Sequence, residues 1–259
     1  MDFVVCLKQS VDLQQVRIKK ETRTPVLEGI PFVFGDMDRN ALEEAVKIKE
    51  KAAAGKVMAL SLGSVKLRDT IKDALARGAD EAYILIDPVF DAVDSRGKAE
   101  ALAKALQKIG RFDLVLMGEG STDNYSGQTP GRVAEMLGLP LIAYATQLEV
   151  GNGKVRATRN MEDSVEVIEA PLPAIVSVTA EINKPRIPSL TQILRAGKKP
   201  VQEWKSGDIG VAAAPAKEVT VVSNLAPVEQ RKQVIFETKV EQDVTSLVDA
   251  LTKEGVWQH

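Results

Sequence analysis

A doubly wound α/β domain on a mostly parallel sheet, of adenine-nucleotide-binding topology, is what this 259-residue sequence predicts. Three observations predict it. Short apolar runs alternate with amphipathic helical patterns over roughly the first 150 residues. The connections between them are short, and several runs end in small turns rich in Gly and Ser. Alternating β and α with short connections means a parallel sheet covered on both faces, with right-handed crossovers.

Phe3–Leu7 reads as the first strand, and Asp38–Lys51 as a helix with Ala41, Leu42, Ala45, Val46 and Ile48 on one face. A strand at Val57–Leu62, a helix at Leu67–Arg77 and a strand at Ala82–Ile86 follow. The helix Asp94–Ile109 spaces Ala101, Leu102, Ala105, Leu106 and Ile109 on one stripe. The strand Leu114–Met117 then feeds a loop, Gly118 to Thr129, that opens a helical segment at Arg132–Leu137. Beyond residue 145 the pattern becomes a β-hairpin, Thr146–Val150 and Lys154–Arg159, about an Asn-Gly turn at Asn152-Gly153. Val165–Glu169 and Ala174–Thr179 continue as strands. Residues 1–204 are expected to form the nucleotide-binding domain, including the hairpin and a proline-rich segment at 182–200. Residues 205–259 read as an extended arm (Lys205–Val228, with Pro215 and Pro227) and a terminal helix at Lys239–Gly255. An arm of ~25 residues without regular structure is expected to lie on something, and a partner subunit would supply that surface. Trp204 and Trp257 could anchor there or pack locally.

In such folds ligands sit beyond the carboxyl ends of the strands. The loops to inspect are therefore Lys8–Asp12, Ser61-Leu62-Gly63-Ser64 and Gly118–Thr129. Gly118, Gly120, Ser121, Ser126, Gly127 and Thr129 leave little side-chain bulk and many free backbone N–H groups ahead of a helix. That is either an anion seat or an ordinary Gly/Ser-rich turn. Neither G-x-G-x-x-G after the first strand nor a P-loop is present.

Composition excludes several classes. A net charge of -2 argues against a nucleic-acid binder. No apolar run approaches a membrane span, so no membrane insertion is expected. The lone cysteine, Cys6, and an N-terminus that enters a strand without a leader predict a reducing, cytoplasmic location. Cys6 reads as a buried thiol rather than a reactive one. One histidine, His259, leaves no Ser-His triad and no multi-histidine metal site.

Ala157-Thr-Arg159-Asn-Met-Glu162-Asp163-Ser-Val-Glu166-Val-Ile168 through Pro173, Ile175 and Val176 resembles the signature of electron transfer flavoprotein beta subunits. Asp38 with Ala41–Ala45, Arg77–Asp80 and Gln128-Thr129 agree with family positions too, whereas Ser164 and Asn160 depart. The wording around Gly118, Ala196–Val201 and Asp208–Gly210 looks closest to the branch serving acyl-CoA, carnitine or nitrogen-fixation electron transport.

The resemblance implies a heterodimer with an alpha subunit that holds most of one FAD. Electrons would pass between acyl-CoA-type dehydrogenases and a quinone oxidoreductase, with no turnover by this chain alone. It implies a structural AMP here, lined by Cys6, Lys8, Asp38, Ser61, Gly63, Gly118, Ser121, Asp123, Ser126, Gly127, Gln128 and Thr129. In electron-bifurcating members a second FAD takes that place. Thr129 and the bulk of Tyr125 favour AMP, while Gly127 leaves room for more. The segment Asn183, Pro185, Arg186, Ile187 and Leu190 falls on the family's dehydrogenase-docking loop; read from composition it is a surface linker or a docking loop. Two other functions fit an adenine-nucleotide fold: an adenylyl transferase, for which only Glu119 and Asp123 are at hand, and a stand-alone AMP sensor, against which the arm argues.

Overall fold

The structure, a computed structural model, describes residues 1–91, 93–211, 219–228, 232–237 and 239–256. Pro215, Trp257 and His259 lie outside the described residues. The strands are β1 (Asp2–Val11), β2 (Arg17–Ile18), β3 (Pro25–Val26), β4 (Phe32–Phe34), β5 (Lys56–Leu62), β6 (Glu81–Leu85), β7 (Leu114–Gly118), β8 (Leu141–Gly151), β9 (Lys154–Asn160), β10 (Val165–Pro171), β11 (Ala174–Val178) and β12 (Val201–Trp204). The helices are α1 (Asp36–Ala52), α2 (Leu67–Arg77), α3 (Ser95–Ile109), α4 (Thr129–Leu137), α5 (Leu190–Ala196) and α6 (Val240–Lys253).

The main sheet runs β10-β9-β8-β11-β7-β1-β5-β6-β12, with β4 added to the end of β1. Its centre is parallel: Phe3 faces Val57 on one side and Leu114 on the other. Strand order turns back at β1, with β5 and β6 to one side and β7 and β11 to the other. That makes the carboxyl ends of β1 and β7 the switch-point crevice of a doubly wound sheet. Side-chain alternation divides the core in two, because successive residues of a strand point to opposite faces. Phe3, Val5 and Leu7 join Ala41, Leu42 and Leu75 under α1 and α2. Val4 and Cys6 join Leu102, Leu106, Val133 and Met117 under α3 and α4.

Several boundaries differ from the sequence-based expectation. Lys8–Val11 are not a loop, since β1 runs on and pairs antiparallel with Phe32–Phe34. The helix after the Gly/Ser loop starts at Thr129, with Pro130 in its first turn, where a missing N–H costs no hydrogen bond. The hairpin turn is as expected, with Asn152 and Gly153 at φ 51° and 73°. Residues 141–145 extend β8 backward to pair parallel with β11.

The chain forms two compact units, residues 1–17 with 25–224, and residues 18–24 with 225–259. In the first, Trp204 packs on Tyr83 at 4.8 Å between ring centroids and under the Lys108 ammonium at 4.6 Å. It is an internal residue and not a partner anchor. Ile209 and Val211 are buried beside it, so the start of the expected arm belongs to this core. Residues 219–228 have no regular structure. In the second unit α6 carries Val240, Val244 and Leu247 exposed to solvent, and Lys232 pairs with Glu254.

Candidate functional site

Lys8, inside β1, points to the α3/α4 face, and its Nζ donates to Ser121 Oγ at 2.9 Å and Asp123 Oδ1 at 2.5 Å. The loop that carries those partners starts at Gly118, where the first turn of α1 closes onto β7. A Cβ there would stand 3.0 Å from Met37 Cβ and 3.2 Å from the Asp38 nitrogen, so any larger residue would have to push the first turn of α1 back by a few tenths of an ångström. The loop is tied at its start by Glu119 N–H to the Val178 carbonyl and inside by Tyr125 N–H to the Ser121 carbonyl. Tyr125 lies over Gly120 and donates its hydroxyl to Glu119 at 2.7 Å. At 57% exposure its bulk is on the solvent side of the loop. Gly127 takes φ +64°, and among the described residues no acceptor meets the N–H groups of Ser126, Gly127, Gln128 or Thr129. Unpaired amides at a helix start, one strand away from a lysine, are the parts of an anion seat.

Beneath the loop is a buried acid. Asp38, in the first turn of α1, is 5% exposed. Burial pushes its carboxyl up to about 7 and the Asp123 charge adds to this, while the N–H groups of Lys8 and Gly35 and the Lys8 charge pull the other way. Burial also raises Asp123, but the hydrogen bonds from Lys8 and Ser121 and the Lys8 charge outweigh it, and the net shift is downward.

Of the remaining expected residues, Cys6 and Ser61 lie within the sheet and Gly63 follows the end of β5. Cys6 is buried in the apolar layer under α3 and α4, and burial, then the Asp38 charge, pushes its thiol up to about 12. Such a thiol has almost no thiolate at neutral pH. The Ser61 hydroxyl donates to the Leu7 carbonyl at 2.6 Å, which spends it inside the sheet. Gly63 lies against Gln9, whose Oε1 would be 2.9 Å from a Cβ. The structure thus brings Lys8, Ser121 and Asp123 into direct contact, sets Asp38 and Gly118 behind them, and leaves Cys6 and Ser61 as support.

Helix α3 is expected from the sequence, but the approach of its first turn to the Gly/Ser loop is not. Ser95 in its first turn meets Gln128 Oε1 at 3.4 Å, so this turn faces the loop. Lys98, three residues on, shares that face. Burial and then the Lys8 charge hold its pKa down, against Asp123, Asp91 and Asp94. No spacing within 94–109 marks this lysine; only the crossover that lays α3 beside the loop does.

The cavity of about 240 Å³ lined by Arg68, Lys72, Leu75, Lys199 and Glu203 is built by other elements and shares no residue with this site. Among the described residues no group of His, Cys, Asp and Glu could hold a metal.

The segment 183–196 shows a second kind of site. Ile187 (91%), Leu190 (72%), Ile193 and Leu194 are exposed. Ser189 caps α5 through a reciprocal box with Gln192. Pro185 and Pro188 leave the approach without two backbone donors, and Asn183 and Arg186 turn inward to α1. In the signature stretch, Arg159 and Glu166 are cross-strand neighbours joined at 2.6 Å.

Unpaired backbone amides at the switch point and an ordered apolar projection at 187–194 are the two features that set this α/β protein apart. Residues 26–209 match the electron transfer flavoprotein domain. The chain is 35% identical over 264 residues to the electron transfer flavoprotein subunit beta of Thermoanaerobacterium thermosaccharolyticum, covering 99% of this chain and all of that protein. It is 32% identical over 263 residues to the caffeyl-CoA reductase-Etf complex subunit CarD of Acetobacterium woodii, with 99% and 100% covered. The chain belongs to the electron transfer flavoprotein family, as a beta-type member working in electron transfer.

Proposed function

We propose that this chain is the beta subunit of a heterodimeric carrier that moves electrons between acyl-CoA-type dehydrogenases and a quinone oxidoreductase or another acceptor. It has no turnover alone and works in the cytoplasm; among the described residues no helix is long and apolar enough to cross a membrane. FAD, held mainly by the alpha subunit, supplies the electron-accepting and electron-donating chemistry. This chain's own nucleotide is AMP.

The observation that carries the reading is the seat at the switch point. Lys8 and the amides of 126–129 suit a phosphate, Asp123 can accept from ribose hydroxyls, and Gly118 lets the backbone come close. Arm residues 219–228 and α6, with its apolar residues facing solvent in the isolated chain, suit a surface that the alpha subunit covers. The surface proposed for the alpha subunit then begins beyond Val211, whose side chain still belongs to the core.

Extraction of the co-expressed heterodimer tests the cofactor assignment. One flavin and one AMP per heterodimer is the expected ratio. A second reading, FAD in place of AMP, draws on Gly127 and on Tyr125 lying outside the loop; two flavins and no AMP would establish it instead. A heterodimer without flavin would end both.

For docking, Leu190→Ala is expected to raise the KM for the dehydrogenase by about 10- to 100-fold. That corresponds to the ~1.5–3 kcal/mol of one buried aliphatic side chain. Flavin content should be unaffected, and an unaltered KM would remove Leu190 from the interface.

A further inference from the structure

The docking segment exposes apolar side chains, yet it is fastened from behind. Asn40 Nδ2 donates to the Asn183 carbonyl at 2.8 Å and the Asn183 Oδ1 at 3.1 Å. Asn183 Nδ2 returns bonds to the Asn40 carbonyl at 3.0 Å and Glu44 Oε2 at 2.9 Å. Arg186 meets Glu43 through Nε at 2.8 Å and Glu50 through Nη1 at 2.7 Å, and its own backbone N–H also donates to Glu43. The Arg186 carbonyl accepts from Arg77 at 2.5 Å. Hydrogen bonds to Glu50 and then Glu43 hold the guanidinium above its ordinary pKa, and Arg186 holds Glu50 below its own.

Between Asn183 and Ser189 the backbone has no helix or strand to define it. The path of the chain is set by these side chains. Arg186 spans two carboxylates one helical stretch apart, a task for a planar fork with five donors and not for an ammonium. Its side chain is 26% exposed and that of Glu43 is 8%, so neither presents much surface to a partner.

We propose that Asn183 and Arg186, locked to Asn40, Glu43, Glu44 and Glu50 of α1, are positioning residues that hold Ile187, Leu190, Ile193 and Leu194 in the pose that meets the dehydrogenase. The partner touches the apolar set; the side chains of the lock turn to α1, and the Arg186 carbonyl to Arg77 of α2. This rests on the docking reading given above. A segment held in pose spends no binding energy on ordering itself, and if the pose fell to about a tenth of the population the apparent affinity would fall about tenfold.

The test uses variants of the co-expressed heterodimer. Arg186→Met leaves Glu43 without its counter-charge, with only the backbone N–H of residue 186 to meet it, and carries a stability cost, so Glu43→Gln with Arg186→Met is the informative form. Asn40→Ala opens the other half of the lock. Each is expected to raise the KM for the dehydrogenase by ~10-fold with kcat, flavin and nucleotide content unchanged, and to speed amide exchange across 183–196. Arg186→Lys is expected to recover only part of the affinity. The proposal fails if the paired variant speeds exchange but keeps the wild-type KM, or if exchange does not change. Leu190→Ala separates the two levels. A raised KM there with no effect of the lock variants overturns the lock alone; a wild-type KM there, with faster exchange in the lock variants, overturns the docking reading.

Discussion

Lys8→Met is expected to weaken adenine-nucleotide binding by about 30- to 100-fold. In the structure the ammonium bridges Ser121 and Asp123 of the loop whose amides at 126–129 are unpaired among the described residues. A charge-assisted bond to a phosphate contributes roughly 1.5–3 kcal/mol. Without Lys8 the phosphate loses that bond and also faces the Asp123 carboxylate with its counter-charge gone. Both side chains are about a third exposed, at 35% and 34%, so solvent softens the repulsion and the lower half of the range applies to that part. Removing the acid as well, in Lys8→Met with Asp123→Ala, is expected to recover part of the loss. Titration calorimetry on nucleotide-stripped heterodimer reads both, and a Lys8→Met protein that binds AMP like wild type would sink the assignment of this crevice.

The second large effect is a pH dependence from Asp38. An unfolded aspartate titrates near 4. In the folded chain the carboxyl is pushed up to about 7 by burial, then shifted by its charged and polar neighbours. Between those values the folded state binds the extra proton, so stability is full below pH ~4, falls as pH rises, and levels off above pH ~7. The whole step amounts to about 4 kcal/mol. Asp38→Asn cannot ionise and is expected to remove most of this fall, so its urea midpoint should change little between pH 5 and pH 8 while the wild type drops. Parallel curves for the two proteins would show that Asp38 stays charged in the fold.

Legibility in the sequence followed locality. The alternating runs that became β1, β5, β6, β7 and α1 to α3 carry their own period, and the Asn152-Gly153 turn carries its own dihedrals. Strand β12 does not: Val201-Gln-Glu-Trp204 is a strand only because β6 offers it an edge, with Gln202 opposite Tyr83. The same holds for Lys8–Val11, which continue as strand because β4 returns to pair with them. At the site, small residues and Gly118 marked the loop. The bond between Lys8 and Asp123, 115 positions apart in sequence, and the approach of Lys98 follow from strand order, which composition does not encode. The docking residues were legible as a group but not by role, since nothing in Pro185-Arg186-Ile187 says that the arginine faces in and the isoleucine out.

Helix α1 carries Asp38 in its first turn, behind the Gly/Ser loop, and goes on, through Asn40, Glu43, Glu44 and Glu50, to grip the segment 183–186. For anyone exchanging partner preference between relatives, the transplantable module is therefore discontinuous. A graft of 183–196 alone would arrive without its matching carboxylates and amide, whereas one that also carries the donor's 36–50 would, on the function proposed above, bring that protein's nucleotide chemistry along with its choice of partner.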